Sequence, residues 1–251
     1  MSEKLSVDPE YARLLQKNFA KIRSGISAAA DGRDVLLIGA TKTVSADIIN
    51  YAAQECGLTD IGENRVQELV EKYPHLRTDL LRLHFIGRLQ QNKVKYIIDK
   101  VCMIHSVDSV RLAREIDRCA KKKSLVMDVL IEINIGREES KGGVDPDDVL
   151  RFAGEISEFE NIRLVGVMSV PPKTDSPDDY VRHFGQTREI LARLTDAGLV
   201  ATDRPIMSAG MSDSYATAIG CGANAVRIGT ALFGKRMYKN NEEKNNDKIV
   251  D

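Results

Sequence analysis

Apolar and polar positions along the chain alternate between two patterns. Eight short runs of four to nine residues, most of them apolar, are typical of strands buried on both faces. Segments with apolar residues every three or four positions lie between them and are typical of amphipathic helices. Strands are predicted at residues 35–41, 59–62, 81–87, 103–107, 127–135, 162–170, 205–209 and 225–228. Helices are predicted at residues 8–30, 46–56, 65–72, 93–100, 110–122, 146–159, 178–197 and 214–221.

The alternation of strand and helix predicts the fold. Apolar strands separated by helices form a parallel sheet covered by helices, and eight strands close a (β/α)₈ barrel. We therefore expect an α/β protein with a modified (β/α)₈ TIM barrel as its single domain. No long helix is predicted after the eighth strand, so the N-terminal helix is expected to complete the helical ring. An open doubly wound sheet is the alternative.

The two ends of the chain differ in pattern. The N-terminal helix has an N-cap and a first-turn proline at Asp8 and Pro9, and an apolar stripe that includes Leu15 and Phe19. We expect the domain to span residues 1–234, with this helix at about 8–30 and the barrel at about 35–234. Residues 235–251 are polar and rich in asparagine, which predicts a disordered tail.

Composition excludes several classes of function. The 251 residues carry a net charge of −1, so no overall basic field attracts nucleic acid or an anionic membrane. No apolar run approaches the roughly 18–20 residues that span a bilayer. The four histidines lack metal-site spacing, so we expect no metal. The four cysteines form no CxxC pair, which indicates reduced thiols and a cytoplasmic protein.

Candidate chemistry begins at the end of the first strand. Residues 35–43 read VLLIGATKT, which places Lys42 at the carboxyl end of a buried strand, where barrels carry their active sites. A lysine desolvated there has a lowered pKa and a nucleophilic amine. The alternative is an ordinary solvated lysine at a strand end. Other polar strand ends, including Asn64, His84 and Ser169, are expected at the same rim.

The seventh and eighth strands end in loops that suit an anion. Small residues run from Ser208 to Ser212 before a short helix, and Gly229 and Thr230 follow the eighth strand. Barrels often bind phosphate with these two loops, through backbone N–H groups and hydroxyls. The alternative is that the glycines serve only turn geometry. Arg227 lies inside the apolar eighth strand, where it either joins a structural ion pair or faces a ligand.

A lysine nucleophile, a phosphate site and a buried arginine together suggest pyridoxal 5′-phosphate (PLP) as the cofactor. The sequence resembles the pyridoxal-phosphate homeostasis proteins, which are related to the N-terminal barrel of alanine racemase. The matching segments span about residues 35–234. They are Thr41-Lys42, Gly62-Glu63-Asn64, Val66-Gln67-Glu68, His84-Phe85-Ile86-Gly87, Leu89-Gln90, Asn92-Lys93, Ser140-Lys141-Gly142, Gly166-Val167-Met168, Ser208-Ala209-Gly210-Met211-Ser212 and Val226-Arg227-Ile228-Gly229-Thr230.

The resemblance implies a role for each matched position. It implies a Schiff base between PLP and Lys42 and places Arg227 near the pyridine nitrogen. An arginine there keeps its proton, so the ring is a weaker electron sink. It implies phosphate contacts from Ser208, Ser212, Gly229 and Thr230, and cofactor contacts from Asn64 and Met211 in the matched motifs.

The expected function is PLP binding in intracellular vitamin B6 homeostasis, without catalysis. The chain lacks the β-rich domain from which alanine racemases take a second acid/base, and we expect a monomer that exchanges PLP with PLP-dependent apo-enzymes. One alternative is a single-domain PLP-dependent amino-acid racemase. Another is a phosphate-sugar barrel enzyme in which Lys42 forms a Schiff base with its substrate.

Overall fold

Eight parallel strands close into one barrel in the order β1 to β8, with β1 paired to both β2 and β8. The computed structural model describes residues 7–138 and 141–234, so the predicted tail at 235–251 lies outside the described residues. The predicted TIM barrel is confirmed, and the open doubly wound sheet is wrong. The strands are β1 Leu36–Ala40, β2 Asp60–Glu63, β3 Arg82–Phe85, β4 Met103–Val107, β5 Met127–Ile133, β6 Ile162–Ser169, β7 Ile206–Ser208 and β8 Ala225–Ile228.

Helices surround the barrel between consecutive strands. They are α1 Pro9–Ala30, α2 Ala46–Cys56, α3 Val66–Lys72, α4 Val110–Lys122, α5 Val149–Ser157, α6 Pro177–Asp196, α7 Tyr215–Gly220 and α8 Thr230–Phe233. The segment predicted as a helix at 93–100 instead forms a 3₁₀-helix at Gln91–Tyr96. Its N–H groups bond to carbonyls three residues earlier, as Lys93 does to Gln90 and Ile97 does to Val94, which is the hydrogen-bond pattern of a 3₁₀-helix.

The N-terminal helix closes the helical ring, as predicted. Asp8 caps α1 by accepting hydrogen bonds from the backbone N–H groups of Glu10 and Tyr11 at 3.0 and 2.9 Å. The Tyr11 hydroxyl donates to the carbonyl of Phe233 at 2.8 Å, which fixes the start of α1 against the end of α8. Because α8 has only four residues, α1 supplies the cover that a long eighth helix gives in other barrels.

The barrel interior is mostly apolar but includes an unusual set of buried polar side chains. Side chains on barrel strands normally fill the interior with branched apolar groups. Here the strands also bury eight polar or charged residues within the described part of the chain. They are Asp60, Glu63, His84, His105, Ser106, Ser169, Ser208 and Arg227.

None of the helices in the described residues combines the length and the apolar character that a bilayer crossing requires. Residues 7–138 and 141–234 contain no group of three His, Cys, Asp or Glu side chains placed to hold a metal ion.

Candidate functional site

A cleft of about 930 Å³ opens where the loops after β1, β7 and β8 meet the start of α1. The carboxyl ends of parallel strands meet at this face of the barrel, which is where barrel proteins place their chemistry. The structure brings seven of the eight predicted site residues together along the wall of the cleft. They are Lys42, Asn64, Met211, Ser212, Arg227, Gly229 and Thr230.

Lys42 lies partly buried in the turn between β1 and α2. Among the described residues, its ammonium group has no hydrogen-bond or ion-pair partner. Lys141, which also follows a barrel strand, forms an ion pair with Glu138 and does not line the cleft. The matched residue Ser140 lies outside the described residues. Lys42 is therefore the lysine of the cleft wall whose amine is available to a ligand.

A cluster of charged and polar residues holds the loop that carries Lys42. We call this cluster the loop clamp, and its members are Thr41, Glu63, Glu68 and Lys72. The Lys72 ammonium donates to the Thr41 carbonyl at 2.8 Å, to Glu63 at 2.9 Å and to Glu68 at 2.6 Å. Thr43 follows with a φ of +67°, a left-handed conformation that is costly outside glycine, and its N–H bonds to Glu68. The clamp thus fixes the backbone on both sides of Lys42.

Glu63 carries the buried charge of the loop clamp. Its side chain is 1% exposed, and burial raises the pKa of its carboxyl, which the neighbouring Lys72 opposes. Oε1 accepts hydrogen bonds from Lys72 and from the Thr41 hydroxyl at 2.7 Å. Oε2 is buried without a partner among the described residues. The ion pair with Lys72 is consequently what compensates this carboxylate.

One end of the cleft offers free N–H groups. Within the described residues, the backbone N–H groups of Ser212, Gly229 and Thr230 find no acceptor. The Ser212 hydroxyl accepts from the backbone N–H of Ala231 at 3.2 Å, which leaves its hydrogen free to donate. Gly210 shapes this loop at a φ of +93°, where a Cβ would lie 2.7 Å from that of Ala218. Several N–H groups and hydroxyls without acceptors along one cleft suit an anion.

Arg227 also lines the cleft and is 4% exposed. Nη1 donates to the hydroxyl of Ser208 at 2.6 Å, and Nη2 donates to the carbonyl of Ser169 at 3.0 Å. Burial lowers the pKa of Arg227 to about 10, while the Glu132 carboxylate acts in the opposite direction. No salt bridge joins Arg227 to a carboxylate in the described part of the chain, so of the two sequence interpretations the geometry favours a group facing a ligand.

Ser208 differs from its predicted position. It is fully buried and does not line the cleft, because its hydroxyl accepts from Arg227 and bonds to Nδ1 of His105 at 3.0 Å. We therefore place Ser208 beneath the cleft, as a partner of Arg227. The expectation for His84 is also corrected: its ring lies inside the barrel, 2.9 Å from Asp60, and not at the rim. Ser169 is likewise buried beneath the rim.

Sequence patterns missed the contribution of α1 to the cleft. Asp8 and Tyr11 line it together with Phe233, since α1 packs against α2 and α8. The Tyr11 hydroxyl is committed to the Phe233 carbonyl, and burial raises its pKa. No local signal marks these residues, because their position depends on how α1 docks. Thr43 and Asp213 also line the cleft and are adjacent to predicted residues.

Comparisons with known proteins agree with this architecture. Residues 14–237 match the family model described as alanine racemase, N-terminal domain. The pyridoxal phosphate homeostasis protein of Aquifex aeolicus is 43% identical over 225 residues, which cover 89% of this chain and 97% of that protein. The structure of PipY from Synechococcus elongatus PCC7942 with PLP bound is 30% identical with a TM-score of 0.75, and the match covers 88% of this chain and all of that one. An alanine racemase of Clostridium difficile shares the fold at 19% identity and a TM-score of 0.69, over 88% of this chain and 57% of its own.

Proposed function

We infer the function from one premise: the chain belongs to the pyridoxal phosphate homeostasis proteins, within the family of the alanine racemase N-terminal domain. The protein binds PLP and acts in PLP homeostasis. Lys42 carries the cofactor as a Schiff base, and the protein holds PLP without turning over a substrate. The homologue PipY, whose structure has PLP bound, supports the choice of cofactor.

The observation that carries this proposal is the arrangement of three groups in one cleft. Lys42 has no partner among the described residues, the N–H groups of Ser212, Gly229 and Thr230 have no acceptor there, and Arg227 lines the same cleft. PLP supplies an aldehyde that bonds to a lysine amine, a phosphate and a pyridine ring. The amine, the N–H groups and the arginine of the cleft therefore match the aldehyde, the phosphate and the pyridine ring of PLP, respectively.

The residues of the cleft have distinct roles in this proposal. Lys42 provides the covalent attachment, while the N–H groups and hydroxyls of Ser212 and Thr230 hold the phosphate together with the N–H of Gly229. Asn64 and Met211 form the remaining contacts of the wall. Ser208 acts indirectly, by holding Arg227.

Two features support a protein without racemase activity. Arg227 stays protonated near neutral pH and donates a hydrogen bond, so it gives the pyridine nitrogen no proton and limits carbanion stabilisation. A racemase that uses two bases needs an acid/base on each face of its substrate. Tyr11 is the tyrosine of the described cleft wall, and both its bond to Phe233 and its raised pKa make it a poor proton shuttle at neutral pH.

Titration of the purified protein with PLP tests binding through Lys42. The wild type is expected to develop a visible absorbance band, and Lys42→Ala is expected to lose it. Lys141→Ala is the matched control, because Lys141 also lies in a loop after a barrel strand but is paired with Glu138. An unchanged band in Lys42→Ala, or a band lost in Lys141→Ala, would contradict the assignment.

A chirality assay tests the absence of turnover. We expect no racemisation when the PLP-loaded protein is incubated with L-alanine and the product is separated by chiral chromatography. Turnover near 10 s⁻¹, the typical rate of an enzyme, would establish the racemase alternative. Exchange of PLP with an added PLP-dependent apo-enzyme is the expected activity instead, because the cleft is open to solvent.

We also propose a cellular location and an oligomeric state for the protein. All four cysteines are described and none forms a disulfide, which supports a cytoplasmic location. We further propose that the protein acts as a monomer, since a single chain provides every group of the cleft. Sedimentation equilibrium of the PLP-loaded protein is expected to give the mass of one chain, 27.8 kDa.

A further inference from the structure

A continuous chain of hydrogen bonds crosses the barrel interior from the cleft to β2. Arg227 Nη1 lies 2.6 Å from Ser208 Oγ, and His105 Nδ1 lies 3.0 Å from the same oxygen. His105 Nε2 then lies 3.0 Å from His84 Nδ1, and His84 Nε2 lies 2.9 Å from Asp60 Oδ1. All five side chains are at most 4% exposed. Because β4 and β7 are not neighbouring strands, the bond between His105 and Ser208 spans the interior of the barrel.

The arginine end gives this chain a direction. A guanidinium only donates hydrogen bonds, so Ser208 Oγ is the acceptor of its bond with Arg227. The serine hydroxyl has one hydrogen, and His105 Nδ1 is the acceptor within reach of it among the described residues. His105 therefore accepts at Nδ1 and carries its own hydrogen on Nε2 when neutral.

The aspartate end gives the same direction. A buried carboxylate accepts, so His84 donates to Asp60 from Nε2 and, when neutral, has an unprotonated Nδ1. That atom accepts the hydrogen of His105 Nε2, which is the arrangement already required by Ser208. Arg82 donates to the same carboxylate and keeps it ionised, with Nε 2.9 Å from Oδ1. Every bond of the chain is satisfied only when donation runs from Arg227 to Asp60.

Protonation of either imidazole would break this order. A charged His84 would donate from both nitrogens, reverse the bond to His105 and leave the buried Ser208 hydroxyl hydrogen without an acceptor, at a cost. Burial lowers the pKa of His105 well below its ordinary value, and the positive charge of Arg227 acts in the same direction. The burial of His105 thus favours a neutral ring there, and only a neutral His105 can accept the Ser208 hydrogen at Nδ1.

We propose that Ser208, His105, His84 and Asp60 are positioning residues that fix the orientation of Arg227 through a one-way chain of hydrogen bonds. Both histidines are neutral and carry hydrogen on Nε2. Two N–H groups of Arg227 are held by Ser208 and by the carbonyl of Ser169, so the remaining N–H groups are free for the ligand. The proposal rests on the proposed function in one respect, that this ligand is PLP.

The first test needs no cofactor. A long-range ¹H–¹⁵N spectrum of the PLP-free protein with ¹⁵N-labelled histidine, recorded at pH 7.5, reports the tautomer of each ring. We expect His84 and His105 to be neutral, with hydrogen on Nε2 and a bare Nδ1. Hydrogen on Nδ1 of either ring, as the other tautomer or as an imidazolium, would overturn the one-way chain.

The second test is a double-mutant cycle on PLP affinity and on the visible absorbance maximum. His105→Phe keeps a ring of similar size but breaks the chain, and it is expected to weaken PLP binding about tenfold and to shift the maximum. In an Arg227→Gln background the same substitution is expected to change affinity less than twofold. His75→Phe is the control, because His75 is exposed and takes no part in the chain of hydrogen bonds.

The outcomes separate the two proposals. Equal losses from His105→Phe in both backgrounds would show that the histidine acts on the fold and not through Arg227, which would overturn the positioning role. Loss of folding in His105→Phe, seen by circular dichroism, moves the cycle to Ser208→Ala with the same expectations. A wild type that binds no PLP would refute the proposed function. The histidine tautomers would still test the proposed direction of the hydrogen bonds between Arg227 and Asp60.

Discussion

Replacing Lys72 by methionine is expected to destabilise the protein strongly. The substitution keeps most of the apolar stem but removes the ammonium group from the loop clamp. That group makes three bonds of 2.6–2.9 Å, to Glu63, Glu68 and the Thr41 carbonyl. The buried Glu63 carboxylate would lose its only ion-pair partner in the described chain.

The size of the expected loss of stability follows from the burial of Glu63. Removing one partner of a buried ion pair leaves an uncompensated charge and costs about 3–5 kcal/mol. Glu63 is 1% and Lys72 12% exposed, so solvent screening reduces this little. For a domain of this size the loss corresponds to a fall in melting temperature on the order of 10 °C.

The loss is expected to depend on pH. Burial raises the pKa of Glu63 above its ordinary value of 4.5, so the folded state binds this proton more tightly than the unfolded state. Removing Lys72 raises that pKa further. The variant is therefore most destabilised, relative to wild type, at pH values above the folded-state pKa of Glu63. Its free energy of unfolding approaches that of wild type as the pH falls towards 4.5.

Urea unfolding followed by circular dichroism at pH 8 and pH 5 checks this reasoning. We expect a smaller deficit at pH 5 than at pH 8, and recovery of most of the loss in the double variant with Glu63→Gln. Lys17→Met is the matched control, an exposed lysine expected to change stability by less than about 0.5 kcal/mol. A deficit that is the same at both pH values would refute the role of the buried carboxylate.

Two further predictions concern the ligand contacts and the loop around Asn64. Ser212→Ala and Thr230→Val are each expected to weaken PLP binding about ten- to hundredfold, because each removes a hydroxyl that bonds to the charged phosphate. Affinity is measured by titration with PLP, and unchanged affinity in both variants would place the phosphate elsewhere. Gly87→Ala is expected to destabilise the protein, since its Cβ would lie 2.2 Å from the Asn64 carbonyl oxygen. Gly154→Ala in α5 has open space around its Cβ and should stabilise the protein by roughly 0.5–1 kcal/mol in the same urea unfolding experiment.

The strand and helix pattern was sufficient to predict the barrel. All eight strands lie within a residue or two of their predicted bounds, because most of them are apolar runs between small or polar residues. The helices α2 and α4 match their predicted bounds to the residue. The segment at Gln91–Tyr96 could not be predicted as a 3₁₀-helix, since the spacing of Val94, Ile97 and Ile98 suits either helix type. The closing role of α1 followed from counting elements.

The sequence predicted those site residues whose position depends only on where a strand ends. Lys42, Arg227 and the loops after β7 and β8 follow from their place in the strand order. The positions of Ser208 and His84 did not follow, because both depend on which side of a strand faces the barrel interior and on partners far apart in sequence. Asp60 and His105 gave no local signal for the same reason.

The covalent attachment of PLP to Lys42 is the central claim, and reduction followed by peptide mapping tests it most directly. The PLP-loaded protein is treated with sodium borohydride, digested, and analysed by mass spectrometry. We predict a single pyridoxyl adduct, on the peptide that contains Lys42. An adduct confined to another lysine, such as Lys141, or no adduct at all, would contradict the account.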